Sequence, residues 1–182
     1  MEFEIDLKKI KAIAEADEEE NWDFRSYLKF HDMPDDELDD LVHQLNESVE
    51  EAIDCTKCAN CCRHIPPDLI DEDIRRISSH LNLSEGEFAQ KFLKKSEDGE
   101  RVIKDLPCPF LDQNRCSIYE IRPETCRSYP HLNKPNFRTR LLNVVQNCSL
   151  CPIVFNVYEE LKGIIRSDDM LDEELTDDDL LW

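Results

Sequence analysis

The sequence predicts a mainly α, irregular fold: a small metal-stabilised domain with a short β-hairpin and a cysteine-rich core. Three observations carry that expectation. Apolar residues recur at spacings of three and four in several segments. Nine Cys occur in closely spaced groups, an odd count that suits a disulfide framework poorly. Only three Gly are present, at Gly86, Gly99 and Gly163, so no glycine-rich phosphate loop or dinucleotide fingerprint exists.

The chain of 182 residues has length for one domain or two small ones. Its formal charge is −20, with 22 Lys plus Arg against 42 Asp plus Glu. Such a balance repels a phosphate backbone and an anionic bilayer surface, so no nucleic acid and no membrane is expected as partner. No stretch approaches the ~20 apolar residues of a membrane span. The opening MEFEIDLKKIKAIAEADEEE lacks the apolar run of a signal peptide. The expectation is therefore a cytoplasmic, acidic protein whose thiols stay reduced, where many Cys read as metal ligands or redox groups.

Along the chain, residues 1–34 read as an N-terminal extension packing on the domain. Glu15 to Glu20 is almost wholly acidic and reads as solvated. Trp22, Phe24, Tyr27, Leu28 and Phe30 then form a patch that packs on the main domain or docks a protein partner. The cysteine-cluster domain is expected over 35–166. Leu38, Leu41, Leu45, Val49 and Ile53 make one stripe of a helix from Asp35 to Ile53. A second helix is predicted over Asp71 to Leu81, with Ile70, Ile74, Ile77 and Leu81 on one face. Ser84 and Glu87 form a capping box for a third, with Phe88 and Phe92 as its buried pair.

Arg101 to Leu106 reads as a short strand. CPFLDQNRCSIY reads as a tight hairpin turning at Asp112, Gln113 and Asn114. Glu120 to Cys126 gives one helical turn around Pro123. Phe137 to Val145 suits strand or helix. Ser149 is the expected N-cap of a last helix with Pro152 in its first turn, lined by Cys151, Val154, Phe155, Tyr158, Leu161 and Ile165. Residues 167–182 are an acidic tail, expected mobile or weakly helical, and a second candidate surface for a protein partner.

The cysteines supply the chemistry. CTKCANCC holds Cys55, Cys58, Cys61 and Cys62; Cys108, Cys116 and Cys126 follow singly, and C-x-x-C closes the set at Cys148 and Cys151. Two residues between thiols let both sulfurs turn onto one ion, and thiolate is a soft ligand suited to zinc, iron–sulfur clusters or Cu(I). All nine are candidate metal ligands. Adjacent side chains point about 100° apart on a helix and about 180° apart on a strand. Cys61 and Cys62 are thus not expected as terminal ligands of one ion, and two adjacent sites or one polynuclear site follow. Arg63, Arg115, Arg122 and Arg127 flank these cysteines and would balance thiolate charge. His64 and His131 are lesser candidates, read first as packing or surface residues. Phe110, Tyr119 and Tyr129 would wall water off the metal.

CTKCANCC, CPFL and CSIYEIRPETCRSYP together resemble the YkgJ-type cysteine-cluster family, described as zinc- or iron-chelating. The resemblance runs from about Cys55 to Cys151. It implies ligand roles for Cys55, Cys58, Cys61, Cys62, Cys108, Cys116 and Cys126, and less firmly for Cys148 and Cys151. The family usually has Gly after the second Cys, where this chain has Ala59. A Gly there suggests positive φ, with Asn60 as the neighbour able to take that conformation instead. The family also includes a domain of flagellin lysine N-methylases, which implies an alternative: a cluster-dependent enzyme of redox or methyl transfer. The expected cofactor is Zn²⁺ or an iron–sulfur cluster.

Overall fold

The computed structural model describes residues 3–178, with side chains through Ser167. In chain order the elements are α1 (Leu7–Ala16), α2 (Glu18–Phe30), α3 (Asp35–Ala52), α4 (Cys55–Cys58), α5 (Cys61–His64), α6 (Asp71–His80), α7 (Glu85–Phe92), β1 (Leu93–Lys95), β2 (Arg101–Ile103), β3 (Leu111–Asp112), β4 (Arg115–Cys116), α8 (Glu124–Ser128), α9 (Leu141–Cys148) and α10 (Pro152–Asp178). Tight 3-10 turns cover Tyr119–Ile121 and Phe137–Arg140. The fold is mainly helical, as the sequence predicts; two small antiparallel hairpins form where the sequence predicts one. Two compact units form: Met1–Ile53 with Leu132–Trp182, and Asp54–His131.

The first unit is helical. Residues read as an extension fold into α1 and α2. The Asp6 carboxylate caps α1 by accepting from Lys8 N–H at 2.8 Å, and Glu18, Glu19 and Glu20 occupy the first turn of α2. Acidic side chains there meet the positive end of the helix dipole, so the run read as solvated starts a helix. The aromatic patch divides: Phe24 and Leu28 are buried, whereas Tyr27 is exposed and Phe30 is 82% exposed. In α3 the buried line is Leu38, Val42, Asn46 and Val49, rotated from the predicted stripe because Leu41 and Leu45 are only half-buried.

Arg138 holds the α2–α3 link: it donates to the carbonyl oxygens of Leu28, His31 and Met33 and pairs with Asp35 at 2.6 Å. The segment open to strand or helix is helical, as α9. Ser149 ends α9 rather than starting α10. Instead the Cys151 carbonyl accepts from Phe155 N–H at 2.9 Å. Tyr158, Leu161 and Ile165 of α10 are wholly buried. The α10 backbone runs on to Asp178; the side chains of the acidic tail from residue 168, and residues 179–182, lie outside the described residues. No single described helix is long and apolar enough to cross a membrane.

The second unit packs α6, α7 and the hairpins around Leu69, Ile74, Ile77, Phe88, Ile103, Phe110 and Ile118, with Cys108 and Cys116 against that cluster. Phe88, Phe92 and Phe110 meet with ring centroids 5.0–6.4 Å apart, a separation that favours aromatic pairs. Ser84 and Glu87 form the predicted capping box. Ile70 departs from expectation: it is 48% exposed, because it stands one residue before α6. β1 pairs with β2 in the register Leu93↔Ile103, and Leu69 N–H donates to Arg101 O at 2.8 Å beside it. β3 and β4 form the predicted hairpin, with Gln113 and Asn114 at positive φ in the turn.

Candidate metal centre

Of the nine cysteines, the 54–131 unit carries Cys55, Cys58, Cys61, Cys62, Cys108, Cys116 and Cys126. Cys55 is exposed and the other six are half-buried. Cys148 and Cys151 belong to the helical unit and are buried there. All nine are free thiols.

The first four cysteines sit on two single helical turns. Asp54 starts α4, accepting from Thr56 N–H at 3.0 Å and Thr56 Oγ1 at 2.6 Å. Ala59 ends it at φ 53°, ψ 19°, the left-handed conformation. The chain thus takes the backbone shape a glycine would favour at Ala59 itself. Asn60, the anticipated alternative, is right-handed at φ −68°. This reversal lets α5 begin at once with Cys61. Arg63 locks the turn: it donates to Ala59 O at 3.0 Å and Cys58 O at 3.3 Å, and reaches Asn114 Oδ1 in the β3–β4 turn.

The later cysteines arrive on fixed backbone. Cys108 N–H donates to Cys62 O at 2.7 Å, joining CPF to the first run. Cys116 ends β4, where Ser117 N–H bonds Phe110 O at 2.8 Å. Cys126 lies on the short helix α8.

The thiols share an electrostatic neighbourhood. Burial pushes Cys126 up to about 12, aided by the nearby Cys62, Cys108 and Cys116. Burial pushes Cys108 up to about 11, with Cys62 and Cys116 adding to it, and raises Cys116 likewise. Cys62 moves the other way, to about 7, because the Cys61 thiol hydrogen-bonds to it and the Arg63 charge is close. So the sulfurs of Cys61 and Cys62 meet, although neighbouring helical side chains diverge at their Cβ atoms. Apolar burial opposes several negative charges at once, so Cys108, Cys116 and Cys126 all shift upward. Among the described residues, no three His, Cys, Asp or Glu side chains converge closely enough to hold a metal ion as they stand.

The predicted companions vary. Arg63 serves Cys62 as expected. The Arg122 guanidinium stacks 3.8 Å from the Tyr119 ring centroid; Arg115 and Arg127 are exposed. His64 is exposed, and His131 packs edge-on against Tyr129 at 5.8 Å. Phe110 is buried behind Cys108 and Cys116, while Tyr119 is 40% exposed. Sequence reasoning missed Asp68, Asp73 and Arg76, which support the Cys126 turn. Only the Asp73–Arg76 spacing of three, suited to an ion pair on one helix face, signalled any of them.

Buried Cys148 hydrogen-bonds Val144 O at 3.3 Å. Burial raises it to about 12, with Glu159 and Cys151 contributing and Lys162 opposing.

Comparison with known proteins follows the cysteines. The uncharacterized protein MJ0661 of Methanocaldococcus jannaschii is 29% identical over 84 residues. That match covers 44% of this chain and 45% of that protein, so the chain spans under half of its relative. No solved structure matches. A family model, CxxCxxCC, described as "Putative zinc- or iron-chelating domain", matches residues 54–152, a span that holds all nine cysteines. With more than half its length under that model and its thiols gathered from separate segments, the chain belongs to the CxxCxxCC family.

Proposed function

We propose that this protein binds zinc or iron through the thiolates of its 54–131 unit, with Cys62, Cys108, Cys116 and Cys126 as the principal ligands. Cys55, Cys58 and Cys61 extend the set toward two adjacent sites or one polynuclear centre; Cys148 and Cys151 are further candidate ligands in the helical unit. One observation carries the reading. Cys62, Cys108, Cys116 and Cys126 come from separate segments yet are near enough to feel one another's charge, and Cys108 and Cys116 pack on the apolar cluster.

The donor chemistry fits. Several soft sulfurs are available, six of the seven in the unit are partly shielded from water, and Arg63 offsets negative charge. A bound cation supplies the positive charge that lets neighbouring thiols ionise together. Ligands drawn from separate segments couple metal affinity to folding. Cys55 is exposed on its short turn. The role this supports is a metal-holding module, structural or for delivery, suited to a reducing compartment such as the cytoplasm.

Anaerobic purification, metal analysis and a visible spectrum test the proposal. Stoichiometric zinc in colourless protein, or iron with sulfide and a brown colour, supports it and names the cofactor. Folded protein that contains neither metal, and takes up neither when offered, overturns it. Tight S-adenosylmethionine binding by the loaded protein would reassign it to an enzyme.

A further inference from the structure

We infer that Asp73 and Arg76 of α6, with Asp68, are positioning residues that hold the Cys126 turn in place for metal binding; the inference rests on the ligand role proposed for Cys126. Asp73 is 1% exposed. A carboxylate at that depth is costly unless every lone pair is used. Here its oxygens accept from Glu124 N–H at 3.2 and 3.3 Å, from Ile70 N–H at 3.3 Å and from Arg76 Nη2 at 2.6 Å. Arg76 in turn donates to Ile121 O at 3.3 Å and Arg122 O at 2.9 Å. Asp68 Oδ1 accepts from Thr125 Oγ1 at 2.8 Å.

These bonds grip residues 121–125 from one side, and Cys126 comes next. The grip matters because α8 has only five residues. So short a helix has no cooperative stability of its own. Two successive carbonyls and the first α8 amide are bound to one ion pair instead, which leaves the thiol as the next free group. An ion pair whose carboxylate is buried is a poor source of stability against apolar packing. What it supplies here is directional: main-chain groups fixed at named atoms, without apolar surface that would compete with Phe110 and Ile118 for the core. Ligands are commonly oriented by such outer hydrogen bonds.

Residue-resolved alkylation of the metal-free full chain with iodoacetamide tests the inference, read by peptide mass spectrometry. Losing the buried bonds in Asp73→Ala should speed modification of Cys126 about tenfold while Cys108 and Cys116 change less than about twofold. Asp73→Asn, which keeps an acceptor for Glu124 N–H, should recover part of the protection. Thr125→Val, a change of similar volume, should speed Cys126 alone by about threefold. In cobalt-loaded protein, Asp73→Ala should lose one thiolate's share of the charge-transfer absorbance.

No change at Cys126, or an equal rise at all three cysteines, overturns the inference. If Asp73→Ala does not fold, Thr125→Val decides by the same criterion. If the unaltered protein binds none of cobalt, zinc and iron, the metal-binding proposal fails, while the alkylation pattern still shows whether these bonds hold Cys126.

Discussion

The amide of Cys108 donates to the carbonyl oxygen of Cys62 at 2.7 Å, so two candidate ligands are also joined through their backbones. Metal that draws these sulfurs together should stiffen that bond. Hydrogen exchange at the Cys108 amide is expected to slow by about tenfold or more on zinc loading and to recover on chelation. Unchanged exchange would separate this bond from the metal site.

Ala59 sits at φ 53°, where a β-carbon costs about 1–2 kcal/mol. Ala59→Gly should remove that strain, less the extra chain entropy lost on folding and one small buried methyl. A net gain of no more than about 0.5–1 kcal/mol in stability is expected from urea unfolding of the metal-free protein. Destabilisation would mean the methyl contributes more than the strain costs.

Glu87 accepts from Ser84 N–H at 2.9 Å and Ser84 Oγ at 2.6 Å. These bonds hold its carboxyl below the ordinary carboxylate range. A depressed folded value stabilises the protein above the unfolded pKa and stops doing so as pH falls through the folded one. The stability gap between the unaltered protein and Glu87→Gln should therefore be flat above about pH 5 and close on acidification. Thermal unfolding across pH checks this; a gap that widens in acid refutes it.

Tyr158 is wholly buried and its hydroxyl donates to Asn21 O at 3.0 Å. Tyr158→Phe leaves that carbonyl without this donor and should cost about 1–2 kcal/mol in urea unfolding. A change under about 0.3 kcal/mol would show that water or another donor replaces the hydroxyl.

Legibility followed locality. The Ser84–Glu87 box, the turn at Asp112 to Asn114 and the helix from Asp35 could be read because neighbours in sequence decide them. α1 and α2 were hidden because acidic residues suit both solvent and a helix start. The buried line of α3 is turned a fraction of a turn from the stripe the spacing predicts: Asn46 is buried, and no apolar pattern announces a buried amide. Ser149 has a cap's side chain, yet the last helix starts two residues further on, after Cys151. At the candidate site, spacing identified the thiols. It did not reveal that Cys61 and Cys62 touch, nor that Asp73 reaches Glu124, since both depend on side-chain placement in space.

In sequence the helical unit takes α1–α3 from before residues 54–131 and α9–α10 from after them, and α10 packs on α3. During synthesis on the ribosome, the first three helices emerge well before the partners they need. Residues 54–131 are complete before α10 leaves the exit tunnel. A nascent chain therefore offers its thiols to ions, oxidants and chaperones before its earliest helices can close their own interior.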